Sequence, residues 1–141
     1  MITKFKNEDL RDVVDIWLQS NITAHHFISE NYWKSMLPEV ETMLPMATLY
    51  VNIVDGKIVG FIGLDDNHIE GIFIHPDHQS KGYGKDLLEY AKNIYSTLTL
   101  NVYDKNVRAK KFYLRENFEI VEESMDLINN EKDLVMTWSK I

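Results

Sequence analysis

The chain has 141 residues, with 22 acidic side chains against 15 basic ones, a net charge of −7 and no cysteine. That length suits one domain with a full core. The acidic balance argues against a nucleic-acid partner, and the missing cysteines exclude disulfides and a cysteine acyl-enzyme. No apolar run approaches the ~18 residues of a membrane span. Met1–Phe5 does not read as a signal peptide, so the expected compartment is the cytoplasm. An acidic surface also suits a cationic substrate.

In chain order, Met1–Phe5 reads as a short strand. Asn7 can cap a helix with Leu10, Val13, Val14, Trp17 and Leu18 on one side, ending near Asn21. Ser29 can cap a second helix with Trp33, Met36, Leu37, Val40 and Leu44 as its apolar side and Pro38 at a kink or break. Ala47–Val54 and Lys57–Leu64 flank Asp55–Gly56, a strong hairpin signal. His68–Ile74 is the next strand. Gly82–Tyr95 reads as a helix, Leu98–Tyr103 as a strand and Lys105–Glu116 as a helix. Phe118–Leu127 and Asp133–Ser139 form a closing hairpin around Asn129–Asn130. The order predicts a single α/β domain over residues 1–141 with a mixed central sheet.

Two segments carry chemistry. In the first, the strand ending at Ile72, Phe73 and Ile74 stops at Pro76. Gln79, Ser80, Lys81, Gly82, Tyr83, Gly84 and Lys85 then lead straight into a helix. A helix start presents free backbone N–H groups and about half a positive charge, which suits phosphate oxygens. Glycine permits the turn and the close approach of a ligand. The segment lacks a P-loop signature and the third glycine of a dinucleotide fingerprint. In the second, Asn106 and Tyr113 stand seven residues apart. On one helix they would share a face, about 10 Å apart.

The run Gln-x-x-Gly-x-Gly after a strand resembles the acetyl-CoA motif of the GNAT (GCN5-related N-acetyltransferase) family. Asn106 to Phe118 resembles the same family's Asn-x-x-Ala-x-x-Phe-Tyr-x-x-x-Gly-Phe, with Asn117 where the glycine stands. Asparagine is the next best residue at a left-handed helix exit. The resemblance covers essentially the whole chain. It implies the GNAT fold, a mixed central β-sheet flanked by about four helices, with acetyl-CoA as co-substrate. It also implies that Ile72–Ile74 run beside the pantetheine arm, that Gln79–Lys85 hold the pyrophosphate, and that Asn106 meets the pantetheine. Tyr113 would sit near the thioester sulfur as the acid. A looser resemblance, around Ile16–Ser20 and Ala24–Ser29, is to small bacterial YjaB-type members that acetylate protein lysines.

The base stays open. Some family members carry a glutamate five residues before the helix asparagine, but Asn101 stands there. Glu70, on the strand beside the pantetheine, is the first candidate, acting through a water. His25 and His26 follow, in a connection where family members build the acceptor wall together with a residue such as Phe27. His68, Asp65, Asp66 and a water chain without a dominant base are further options. Lys81 and Lys85 can pair with CoA phosphates or stay solvated. His75 and His78 have no third ligand nearby, so no metal is expected. Tyr32, Trp33, Tyr50 and Phe61 read as core, with one or two available to line a cleft.

The expected reaction is direct transfer of acetyl to a primary amine, either a protein lysine or a small molecule such as a polyamine, an aminoglycoside or an amino acid. A non-catalytic acyl-CoA sensor is the rival from another class. A monomer or homodimer is expected.

Overall fold

The computed structural model describes all 141 residues. Seven strands form one sheet: β1 (Ile2–Lys4), β2 (Thr48–Val54), β3 (Lys57–Asp65), β4 (His68–Ile74), β5 (Thr97–Tyr103), β6 (Glu119–Asp126) and β7 (Glu131–Ser139). Their order across the sheet is β1-β2-β3-β4-β5-β7-β6, antiparallel throughout except for β4 with β5. The helices are α1 (Leu10–Ala24), α2 (Glu30–Ser35), α3 (Leu37–Met43), α4 (Tyr83–Ile94) and α5 (Val107–Arg115).

The expected element order holds, with two local differences. The second predicted helix is two, because the chain bends at Met36 and Pro38 sits in the first turn of α3. There a proline loses no helical hydrogen bond. This makes five α-helices where about four were expected. The first helix also runs on to Ala24, three residues past its expected end. The turn at Asp55 and Gly56 has φ of 51° and 76°, as an Asp-Gly hairpin turn requires.

Strand alternation divides the apolar residues between two faces. Phe61 packs with Val13, Ile16, Leu49 and Val51 under α1. Its neighbour Ile62 joins Leu87, Leu88, Leu98, Leu100 and Met136 under α4 and α5. The second cluster is the larger and crosses from β3 to β7, so it holds the two halves of the sheet together.

The feature that positions the site is a split in the middle of this sheet. β4 and β5 pair only at His68↔Thr99 and Ile69↔Leu100. Beyond those pairs the strands part. The cause lies in β4: against β3, Gly63 pairs with Gly71 and Leu64 with Ile69, which leaves Glu70 as an extra, bulged residue. A bulge bends its strand and adds twist. Here it lies one residue past the last β4–β5 pair.

Candidate active site

The open edge of β4 forms one wall of the split. His75 donates its backbone N–H to Val59 O at 2.9 Å, toward β3. Backbone groups alternate sides along a strand, so those of Ile72 and Ile74 face the split. Unpaired backbone groups within a sheet call for a partner. Gln79 Nε2 donates to Ile74 O at 3.3 Å, which closes the end of this edge. The side chains of Ile72 and Ile74 turn to the α4 core, while Phe73 stacks on Phe61 at 4.8 Å. Gly71 leaves the room for the Phe73 ring, since a Cβ there would come within 2.2 Å of it.

The strand leads into the loop before α4. Ser80 and Gly82 have φ of 64° and 84°. These left-handed residues turn the chain so that α4 opens with Gly82 as N-cap and no side-chain cap. Its first N–H groups are therefore unsatisfied by the protein. Gly84 packs on Ile72 and Ile74, and a Cβ there would meet both at an ordinary 3.7 Å, so the fold itself does not demand this glycine. Lys81 is exposed, and Lys85 leans toward Glu116 at 4.0 Å. Arg108, which the sequence reading missed, donates to Gln79 Oε1 at 2.6 Å and to Ser80 Oγ at 2.7 Å. Its signal was an arginine in the first turn of a helix, where the helix dipole disfavours a cation.

α5 brings the second motif to the same region. Asn106 is the N-cap of α5 rather than a residue within it, and its Oδ1 accepts the Ala109 N–H at 3.3 Å. Tyr113 lies a helix-length below. Its ring packs on Phe112 and Phe118. Its hydroxyl makes no hydrogen bond within the protein and keeps some access to solvent. Burial raises the phenol pKa above its usual value, so the group keeps its proton across physiological pH. Asn117 makes the left-handed exit from α5 at φ 71°.

The opposite face of the split carries a wall of rings. His25 stacks on Trp33 at 5.1 Å and meets Phe27 and Tyr103 edge-on at 5.7 and 5.3 Å. Trp33 is core, as expected. Tyr103 donates to Asp126 Oδ2, which ties β5 to the β6–β7 turn. Burial and this carboxylate raise the Tyr103 pKa. Burial opposes ionisation of Asp126, yet hydrogen bonds from Tyr103 and Asn129 hold its carboxyl below the usual range. Lys105 Nζ sits 5.8 Å over the Phe27 ring and 3.1 Å from Glu131. His26 lies at the outer edge, exposed, with its ring against Phe27 at 5.6 Å. His25 is different: burial lowers its pKa to about 4, partly offset by the Asn21 carbonyl, so it is neutral at pH 7. It is held between Asn21 and Asn106, which makes it a poor candidate for a base.

Glu70 is exposed at the apex of the split, on the face shared with Leu49 and α1, and no partner engages its carboxylate. Asn101 donates to Asp133 Oδ2 at 2.7 Å, and His68 Nδ1 is 2.7 Å from Thr99 Oγ1. Asp65 ends β3 and Asp66 sits in the β3–β4 turn, both exposed. At the far end of β4, His75 lies 4.0 Å from Asp15 and 3.7 Å from Asp77. No three metal-ligating side chains converge anywhere, and no helix is long and apolar enough to cross a membrane.

The family model described as "Acetyltransferase (GNAT) domain" matches residues 45–120, which is β2 through the first residues of β6. The chain belongs to the GNAT family. Among its relatives is the peptidyl-lysine N-acetyltransferase YiaC of Escherichia coli K12, 31% identical over 98% of this chain and 96% of that protein. Another is the peptidyl-lysine N-acetyltransferase YjaB of Salmonella typhimurium LT2, 33% identical over 87% and 86%. The solution structure of apo YjaB from Escherichia coli superposes with a TM-score of 0.88 at 30% identity, covering 100% of this chain and 98% of that one. The PaiA N-acetyltransferase of Thermoplasma acidophilum, solved with coenzyme A, shares the fold at a TM-score of 0.83 and 20% identity over 99% and 98%. This GNAT protein is an acetyltransferase with acetyl-CoA as co-substrate. The bare helix start at Gly82, the flanking cations and the open β4 edge fit that molecule's pyrophosphate and amide-bearing arm.

Proposed function

We propose that this protein transfers acetyl from acetyl-CoA to a lysine side chain of a protein, by direct attack within a ternary complex. One observation carries the reading. The split passes through the sheet, with the helix starts of α4 and α5 on one face and the ring wall and carboxylates on the other. Donor and acceptor then approach from opposite sides and meet at the apex. The naming of YiaC and YjaB as peptidyl-lysine acetyltransferases supports lysine as the acceptor.

The N–H groups of Ile72 and Ile74 pair with the pantetheine amides and polarise the thioester carbonyl. The free α4 N–H groups, Gln79, Ser80, Lys81 and Lys85 hold the pyrophosphate, with Arg108 fixing the loop. Asn106 contacts the arm at the start of α5. A lysine ammonium is neutral in only a small fraction at pH 7, a cost of about 4.6 kcal/mol. Glu70 at the apex takes the proton through a water, which recovers part of that cost. Tyr113 hydrogen-bonds the departing sulfur and supplies its proton as the thiolate forms. His26 and Phe27 line the approach of the acceptor chain.

The test is thiol release from acetyl-CoA with lysine peptides, polyamines, aminoglycosides and free amino acids in parallel, with mass spectrometry of the products. Acetylation on the lysine Nε, reduced about tenfold or more by Glu70→Gln, is the expected result. Turnover on a small amine alone would replace the acceptor. Acetyl-CoA binding without turnover on any amine would favour a sensor, the outcome for which Asn101 in place of the glutamate speaks.

A further inference from the structure

His25 does more than stand in the ring wall. Its Nδ1 lies 3.1 Å from Asn21 O and its Nε2 lies 3.2 Å from Asn106 Nδ2. A backbone carbonyl only accepts, so Nδ1 must carry the proton and Nε2 must present a lone pair. The atom of Asn106 facing that lone pair must then be a donor. The other end of the same side chain agrees, because Oδ1 accepts from Ala109 N–H. Three residues thus fix one amide orientation, and a flip of Asn106 would break both contacts. The clamp is itself held. The Asn21 carbonyl also accepts the His25 backbone N–H at 3.0 Å, and Asn21, which is buried, donates its side chain to Trp17 O at 2.8 Å. Trp33 covers one ring face. One N–H of Asn106 remains for a ligand.

We propose that His25 is a positioning residue: as its Nδ1–H tautomer it locks the Asn106 amide for acetyl-CoA and joins the α1–α2 connection to the cofactor side of the split. The inference rests on the reading of Asn106 as a contact of the cofactor arm. It gives His25 a role that neither a base nor an acceptor wall would have. It also links the two halves of the site, since whatever displaces the α1–α2 connection loosens Asn106.

The test is calorimetric titration of acetyl-CoA into the wild type, His25→Phe, Asn106→Ala and the double variant. Phenylalanine keeps the stack on Trp33 and removes both hydrogen bonds. Each single variant should weaken binding about tenfold, the size of one lost polar contact, and the double variant should be no weaker than Asn106→Ala alone. His25→Gln, which offers an amide N–H to Asn21 and an oxygen to Asn106, should return to within about threefold of wild type. Side-chain ¹⁵N spectra of the free protein should show the Nδ1–H tautomer and a shifted Asn106 Nδ2 signal in His25→Phe. These spectra and His25→Gln decide the matter if His25→Phe does not fold. Multiplying losses in the double variant, an Nε2–H tautomer, or unchanged affinity in His25→Phe would each overturn the inference. Unchanged affinity in Asn106→Ala would instead sink the reading of Asn106, and the inference with it.

Discussion

The two sides of the split are made of different material. On the α4 side the working groups are backbone: the open edge of β4, the left-handed turn at Ser80 and Gly82, and the bare start of α4. On the ring side they are side chains drawn from distant segments, namely His25 and Phe27 before α2, Tyr103 at the end of β5 and Asp126 at the β6–β7 turn. A backbone site is built by local sequence and suits a constant ligand. A side-chain site can be altered one residue at a time, which suits an acceptor whose shape the fold does not fix. Substitutions on the α4 side should therefore act on acetyl-CoA, and those on the ring side on the acceptor, with Tyr113 and His25 as the tests of where the division fails.

The largest effect is expected at Tyr113, which belongs to neither side. Tyr113→Phe keeps the buried ring and should lower kcat by about 100-fold or more while leaving acetyl-CoA affinity within about threefold. Steady-state kinetics beside calorimetry checks this, and full kcat in the variant would remove Tyr113 as the acid.

The next effect is in stability against pH. His25 has a folded pKa of about 4 against 6.5 for the free side chain, so the unfolded chain binds more protons between those values. Its contribution is present above pH 6.5 and is lost as pH falls toward 4, up to about 3 kcal/mol in all. Urea titrations from pH 7 to 4 should show that loss, and His25→Phe should flatten it. An equal slope in the variant would assign the acid sensitivity to the carboxylates.

Tyr103→Phe removes the link to Asp126 and should cost about 1 kcal/mol of stability. If the division holds, it raises KM for the acceptor and leaves that for acetyl-CoA unchanged. A rise for acetyl-CoA alone would place Tyr103 on the other side.

The smallest and most diagnostic effect is at Gly84. The fold has room for a Cβ there, and alanine is the better helix residue, so Gly84→Ala should gain up to about 1 kcal/mol in thermal unfolding. Acetyl-CoA binding should weaken at the same time, because the new methyl stands at the helix start. A variant both more stable and equally tight would show that the ligand does not approach Gly84.

The same division explains what the sequence revealed. The strand, loop and helix of Ile72–Leu88 are contiguous, and glycine and proline mark their joints, so the order of elements and the turn into α4 could be read directly. Asn117 at the left-handed exit and Asp55–Gly56 at the hairpin turn followed from the same local rules. The break at Met36 was half visible, since Pro38 indicated either a kink or an end but not two helices. The partners of His25 were not legible. Asn106 is 81 positions away, and only the fold sets that contact. Nor was the bulge at Glu70, which arises from a mismatch of register between β3 and β4 that neither strand carries alone.

The β4–β5 split has a mechanical consequence. Two residue pairs form a narrow neck between a four-stranded leaf and a three-stranded one, and continuous apolar packing spans that neck only on the α4–α5 face. The two leaves therefore meet at a neck near Ile69 and Leu100 that is packed on one face only. On the proposed reading, the cofactor arm bonds to Ile72 and Ile74 in this gap in the manner of an added strand. The amide hydrogens of Ile72 and Ile74, which face the gap, should then exchange slowly only while the cofactor is bound, whereas that of Phe73, turned toward β3, should be protected throughout.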